Sequence, residues 1–282
     1  MLQDFASLKN TVIDSGHSGY GTELSDIMRA MEDQTAFPPA LLQQHFWNVF
    51  IIDALIGNWD RHNGNWGFLY NTATDEIAIA PVYDCGSCLY PQADEAIMRD
   101  TIDKQPERDF RTFSIPLSSI KVNGKKINYF DFISSLENAD CNKALKRMLP
   151  KINMDAIFRI VNEIRVSYGL KPYKWDTTAY TAAKARCTEI EQNFSHLRPD
   201  GSNFKTIYGY SDEELWYKFC SVGENLGSGQ PTAQRVVDSW MASTKGHREN
   251  ILNPDFENLA VAFGTYNDAY KYYWVQEFTT YR

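Results

Sequence analysis

The sequence has no apolar run long enough to cross a bilayer. Its most apolar stretch, Val49 to Ile56, is broken by Asp53 and flanked by Asn48 and Gly57, far short of the ~20 residues that a span requires. Nor does positive charge dominate. Lys+Arg number 28 against 36 Asp+Glu, for a formal net charge of −8, so the basic surface on which duplex nucleic-acid binding depends is missing and no nucleic-acid partner is expected. Cysteine is scarce and odd in number, five in 282 residues, unlike the dense, even framework of a small secreted scaffold. Cys85 and Cys88 form a C-x-x-C. No second pair completes a zinc ribbon and no strand-motif-helix context makes a thioredoxin site, so they read as two reduced thiols in a turn. The opening residues carry Asp4, Lys9 and Asp14 where a signal peptide needs uninterrupted apolar sequence. A cytoplasmic location is expected.

What is present is enough apolar material for real cores. At 43% hydrophobic and 14% aromatic the chain is not a disordered one, and at ~150 residues per domain its length suggests two. The stretch to about Thr22 reads as irregular, with turns at Gly16, Gly19 and Gly21. Glu23 to Glu32 reads as an amphipathic helix, and Pro38-Pro39 opens a buried helix from about Ala40 to Ile56, ended by Gly57. Trp66 to Tyr70 and Glu76 to Val82 read as a hairpin. Asn123-Gly124 marks a second one. Helices are expected at Tyr129 to Leu136, Cys141 to Met148 and Met154 to Tyr168.

Beyond Gly169 the texture changes. A helix over about Thr178 to Phe194 is expected, then a glycine-rich loop around Gly223 to Gly229 and a helix starting near Pro231. Two strands follow, Leu259 to Tyr266 and Lys271 to Thr279. The expected architecture is α+β in two domains, residues 1–163 and 164–282.

The segment GNWDRHNGNWGFLY runs from a buried helix through a polar loop into a strand. Asn65 stands just before the outgoing strand of a hairpin and Asp84 just after the returning one. Antiparallel strands lie ~5 Å apart, so both ends leave the same edge of the sheet and Asp60, Asn65 and Asp84 converge. Carboxylate, amide and carboxylate are hard oxygen donors, suited to Mg²⁺ shared with substrate phosphates. Phosphoryl transfer uses this set, with one Asp to orient the attacking hydroxyl and an Asn and a second Asp to hold metal. Asn58 and His62 of the same loop are candidates for cofactor contact.

The runs LIGNWDRHNGNWGF and IAPVYDCGSCLYP resemble the C-terminal lobe of HipA-like serine/threonine kinases, in motif order, spacing and intervening hairpin. The resemblance covers Leu2 to about Ile164 and implies a mostly helical lobe with β-hairpins. It makes Asp60 the catalytic base, Asn65 and Asp84 the ligands of magnesium bound with ATP, and a protein the phosphoacceptor. A kinase also needs a phosphate-covering loop and a strand lysine. No G-x-G-x-x-G precedes Asp60, and Lys9 is the only lysine before it. The small lobe is therefore expected from a separately encoded polypeptide or a longer gene, and this chain alone is expected to be inactive.

The second half gathers polar residues in FSHLRPDG, VGENLGSG and SWMASTKGHREN. Two histidines and a glutamate, His196, Glu224 and His247, are a candidate open zinc site, though no H-x-x-x-H spacing supports it. These runs, with GLKPYKWD and YYWVQEF, resemble the CAP/SCP superfamily over about Ile160 to Phe278. The resemblance implies an α-β-α sandwich with a cleft lined by His196, Glu224, Ser243 and His247. Ser243 stands where the family often has a second glutamate. Three functional classes follow: a kinase lobe, a ligand- or partner-binding CAP module carried on a kinase remnant, and a CAP-type metal-dependent hydrolase.

Overall fold

A computed structural model describes residues 1–12 and 21–282. The chain divides into two compact units, Met1–Met148 and Leu149–Arg282.

In the first unit the elements run β1 (Leu2–Asp4), α1 (Phe5–Val12), α2 (Leu24–Asp33), α3 (Pro39–Ile56), β2 (Gly67–Asn71) and β3 (Glu76–Ile79). Next come α4 (Glu95–Asp103), α5 (Gln105–Asp109), a π-helical turn (Phe110–Ser114), β4 (Leu117–Val122), β5 (Lys125–Asn128) and α6 (Tyr129–Ser135). Helix α7 (Ala139–Ser167) continues into the second unit, followed by β6 (Lys174–Trp175), α8 (Thr177–Gln192), a 3₁₀ turn (Phe204–Tyr208), α9 (Asp212–Lys218) and β7 (Phe219–Ser228). The chain closes with α10 (Ala233–Met241), α11 (His247–Leu252), β8 (Asn258–Thr265) and β9 (Tyr272–Tyr281). The α+β expectation holds. No helix of the described residues is long and apolar enough to cross a membrane.

The first unit is built around α3. Pro39 occupies its first turn, where a missing N–H costs nothing, and Gly57 ends it in the left-handed region at φ 64°. Leu42, Phe46, Trp47, Val49, Phe50 and Ile51 are all buried along it, and Trp66 and Phe68 of the hairpin region are buried as well. The irregular N-terminus expected from the sequence is instead strand β1 and helix α1. β1 pairs antiparallel with β2, placing Leu2 opposite Leu69, and Phe5 stacks on Trp66 at 4.1 Å. Three residues are too short a strand to show a period, so only the tertiary partner reveals it. The expected turns at Gly16 and Gly19 lie outside the described residues. The Asn123-Gly124 turn has both residues at positive φ, 53° and 75°, the backbone a two-residue hairpin needs. Its two N–H groups donate to the Glu23 carboxylate.

Two helices expected between Cys141 and Tyr168 are one, α7, which passes through Pro150. Its later residues belong to the second core, where Ile157 and Val161 are wholly buried. The contacts therefore divide the chain at Met148/Leu149, ahead of the 163/164 position taken from the motifs.

The second unit is a three-layer α-β-α sandwich around the sheet β6-β8-β9-β7. Alternate residues of the central strands feed its two faces. Leu259, Val261, Phe263, Trp274 and Phe278 pack with α7, α10 and α11, while Ala262, Tyr273 and Val275 pack with Ala183, Cys187 and Ile190 of α8. The glycine-rich loop expected at 223–229 is strand β7. Its glycines serve close approach rather than turning. A Cβ on Gly227 would lie 2.7 Å from Val236 and 3.3 Å from Trp240, both on α10. Gly227→Ala should destabilise this unit by ~1–3 kcal/mol through overpacking, measured as a lower urea midpoint with unchanged slope.

Candidate functional site

The polar loop of the first unit hangs from α3 by a chain of short bonds. The Asn58 N–H donates to the Asp53 carbonyl, and its Nδ2 donates to Asp53 Oδ1 at 2.8 Å. Asn58 Oδ1 accepts the Asp60 N–H at 3.2 Å, and the Tyr129 hydroxyl closes on the Asn58 carbonyl at 2.8 Å. Asn58 is wholly buried. In this structure Asn58 braces the loop. His62 Nδ1 accepts the Gly64 N–H at 3.0 Å, so this ring nitrogen serves the turn too.

Arg61 ties that loop to the turn after the hairpin. Its Nε lies 3.0 Å from Asp53 Oδ2, with both side chains almost fully buried. Its Nη1 donates to the Asn65 carbonyl at 2.6 Å and to the Tyr83 carbonyl at 2.5 Å, and Nη2 reaches Cys85 Sγ at 3.6 Å. One guanidinium nitrogen therefore holds the two hairpin ends together. Burial pushes the Asp53 carboxyl up while the Arg61 bonds pull it down, and the pairing with Asp53 keeps Arg61 charged.

Around this core the three sequence-derived residues take distinct positions. Asp60 and Asp84 are exposed and Asn65 is buried. Asn65 Nδ2 donates to the Asp60 carbonyl at 2.9 Å, fixing the amide so that Oδ1 is the end left for a cation. Asp84 sits in the left-handed region at φ 53°, a conformation Asp tolerates better than most residues. Two oxygen-bearing side chains at one hairpin end fit Mg²⁺, which takes one or two protein ligands beside substrate phosphates. The sequence reading passed over Asp53 and Arg61. The signal was there, since a carboxylate inside an otherwise apolar helix calls for a buried partner. Lys9 is also accounted for: it is buried, and its Nζ donates to the Gly21 carbonyl at 2.7 Å.

The second unit has its own buried charge cluster. Arg186 of α8 is wholly buried; its Nε donates to Glu224 Oε2 at 2.7 Å and its Nη2 to Oε1 at 3.2 Å. Arg186 Nη1 reaches Glu189 at 2.7 Å, and Arg198 holds Glu189 from the other side. His196 Nδ1 lies 2.8 Å from Glu224 Oε1. His247 Nδ1 meets the Ser243 hydroxyl at 3.0 Å, and burial followed by the nearby His196 pushes its pKa down. The four residues expected to line a cleft stand in two pairs, His196 with Glu224 and His247 with Ser243, and zinc finds no open ligand set in them. Both Glu224 oxygens are committed to Arg186, and no group of three metal-ligand residues exists among the described residues. Glu277 lies opposite Glu224 in the β7–β9 ladder and is wholly buried. Desolvation and then the Glu224 charge push its pKa well up, and the Tyr208 hydroxyl donates to it at 3.1 Å. Neither Arg186 nor Glu277 was singled out from sequence, because one lies in a regular helix and the other in an alternating strand.

Residues 1–157 match the family model of the HipA-like C-terminal domain, and residues 158–278 match that of the cysteine-rich secretory protein family, CAP. The serine/threonine-protein kinase CtkA of Helicobacter pylori strain J99 is 46% identical over 162 residues, covering 57% of this chain and 50% of that protein. The crystal structure of a Helicobacter pylori proinflammatory kinase CtkA superposes with a TM-score of 0.53 at 45% identity, over 57% of this chain and 59% of that one. The uncharacterized protein YkwD of Bacillus subtilis strain 168 is 36% identical over 110 residues, 38% of this chain and 40% of that protein. The chain thus spans half or less of the length of the curated relatives it matches.

Two outcomes follow from the buried charges. Arg61→Met should destabilise the first unit by ~3–5 kcal/mol, because Asp53 is left buried and uncompensated. The double variant Asp53→Leu/Arg61→Met should recover part of that loss, a non-additivity read from a urea double-mutant cycle. In the second unit, Glu277 has a folded pKa above its unfolded value of ~4.3. Its contribution is fully present below that pH and is lost as pH rises through the folded pKa. The stability gap favouring Glu277→Gln over the parent should therefore widen from pH ~4.3 upward; a pH-independent gap would contradict a protonated Glu277.

Proposed function

The chain belongs to the HipA-like C-terminal domain family through its first 157 residues, and from this we propose that its first unit is the large lobe of a serine/threonine protein kinase. The observation that carries the reading is the Arg61 clamp. Arg61 Nη1 donates to the carbonyls of both Asn65 and Tyr83, which supports a reading in which the Asp60 and Asp84 carboxylates and the Asn65 amide oxygen serve one site. Asp60 would accept the proton of the attacking hydroxyl at its exposed carboxylate, held in place through its own backbone by Asn58 and Asn65. Asn65 Oδ1 and Asp84 would hold magnesium, which when bound with ATP neutralises the phosphate charge. The phosphoacceptor is a protein hydroxyl in this reading, and a cytoplasmic location supplies the nucleotide.

Lys9 decides what else is needed. It is the only lysine before Asp60, and it lies buried on a helix rather than a strand, with its ammonium donating to the Gly21 carbonyl. We infer that the phosphate-covering lobe comes from a polypeptide segment outside these 282 residues, and that the chain by itself transfers no phosphate. The second unit, with its His196–Glu224–Arg186 cluster already neutralised, is proposed as a binding module for a ligand or partner rather than a metal-dependent hydrolase. If ATP plays no part in the function, this binding role is the one that remains.

The purified chain should bind Mg·ATP weakly and show no phosphoryl transfer in a radiolabel assay. With a cognate small lobe added, transfer should appear. Asp60→Asn should then abolish it while leaving Mg²⁺ affinity unchanged, and Asp84→Ala should weaken Mg²⁺ binding by at least an order of magnitude. Asp60-dependent autophosphorylation by the chain alone would overturn the need for a second lobe.

A further inference from the structure

The second unit has a cavity of about 390 Å³ beyond the end of α7, with Arg165, Lys171, Lys174, Phe256 and Glu257 among its lining residues. It involves none of the cleft residues His196, Glu224, Ser243 or His247. Its unusual member is Arg165, which is only 1% exposed yet has no carboxylate partner among the described residues.

Arg165 is held rigidly. Its Nε donates to the Lys171 carbonyl at 2.8 Å, and Nη1 donates to the carbonyls of Ile251 and Asn253 at 2.8 and 2.9 Å. Its guanidinium carbon lies 3.6 Å from the centroid of the Tyr173 ring. Carbonyl dipoles and an aromatic face orient the cation but do not cancel its charge, and burial lowers its pKa accordingly. A buried guanidinium is ordinarily paired with an acid. Among the described residues Arg165 has instead only carbonyls and the Tyr173 side chain as partners, and it lines the cavity. Lys171 and Lys174 are exposed on the same wall. Three cations face one carboxylate there, Glu257.

We propose that this cavity binds a phosphate group. A fixed guanidinium with no carboxylate partner among the described residues, beside two exposed ammonium groups, matches an oxyanion. The excess of two positive charges matches a phosphate dianion better than a monocarboxylate, which would leave one charge uncompensated. Arg165 supplies the fixed direction, and Lys171 and Lys174 close on the anion as point charges. The assignment does not depend on the kinase reading of the first unit.

The test is titration calorimetry on the full chain with inorganic phosphate, O-phosphoserine and acetate at matched ionic strength, together with amide NMR shifts. Inorganic phosphate should bind saturably at one site, with shifts concentrated at Gly169 to Lys174, and acetate should bind at least tenfold more weakly. Equal binding of O-phosphoserine would assign the site to monoesters, and its exclusion to the free anion. Lys171→Ala/Lys174→Ala, both exposed and so compatible with folding, should lower phosphate affinity at least tenfold. Lys171→Glu/Lys174→Glu should abolish binding, with the thermal transition retained. No saturable binding, acetate binding equal to phosphate, or undiminished affinity in the double alanine variant would overturn the proposal.

Discussion

The first unit depends on one buried ion pair. Arg61 and Asp53 lie in an otherwise apolar setting among Phe50, Trp66 and Tyr129, where two lone charges would each be costly to desolvate. The pair is tolerable because every edge of the guanidinium is used: the Asp53 carboxylate, two carbonyls from two different segments, and a thiol. A lysine could not reach all of them, since it lacks the planar fork. The energy of such a pair is not its main product. It fixes which backbone carbonyls lie side by side, and through them where Asp60, Asn65 and Asp84 stand.

The second unit solves the same problem with a different arrangement. Arg186 joins α8 to the sheet through Glu224 and is balanced by Glu189, itself gripped by Arg198. Glu277 sits across the ladder from Glu224, and burial first, then the Glu224 charge, pushes its carboxyl well above the usual range. With both Glu224 oxygens bonded to Arg186, no open set of ligands for a cation is found here among the described residues. Arg165 is the exception in the same unit, a buried cation held by carbonyls and the Tyr173 ring without a carboxylate among the described residues.

The two units differ in how strands meet helices. In the second, small residues on β7 let α10 approach until Val236 and Trp240 touch the strand backbone, and the Trp240 indole donates to the Leu226 carbonyl at 2.8 Å. In the first, the hairpins are short and their role is to carry polar ends outward from α3. Helices α4 and α5 there bury no residue, so the stretch after the Asp84 turn is held mainly by its own local bonds, such as Arg99 with Glu95 and Lys104 with Asp100.

By itself the sequence determined what local chemistry can decide. The apolar run with Pro39 and Gly57 at its ends specifies α3, and Asn123-Gly124 specifies a hairpin. These signals are carried by neighbours in sequence, through backbone sterics and period. Strand β1 and the strand identity of Gly223 to Gly229 were decided only in the tertiary structure, because pairing partners and close-packed helices come from distant residues. The same holds for Asn58 as a brace, for the Arg186 bonds that take Glu224 away from any metal, and for Arg61 as a clamp. A charged side chain's role is set by which opposite charge burial brings against it, and that partner stands 8 residues away for Arg61 and 38 for Arg186, where no local pattern records it.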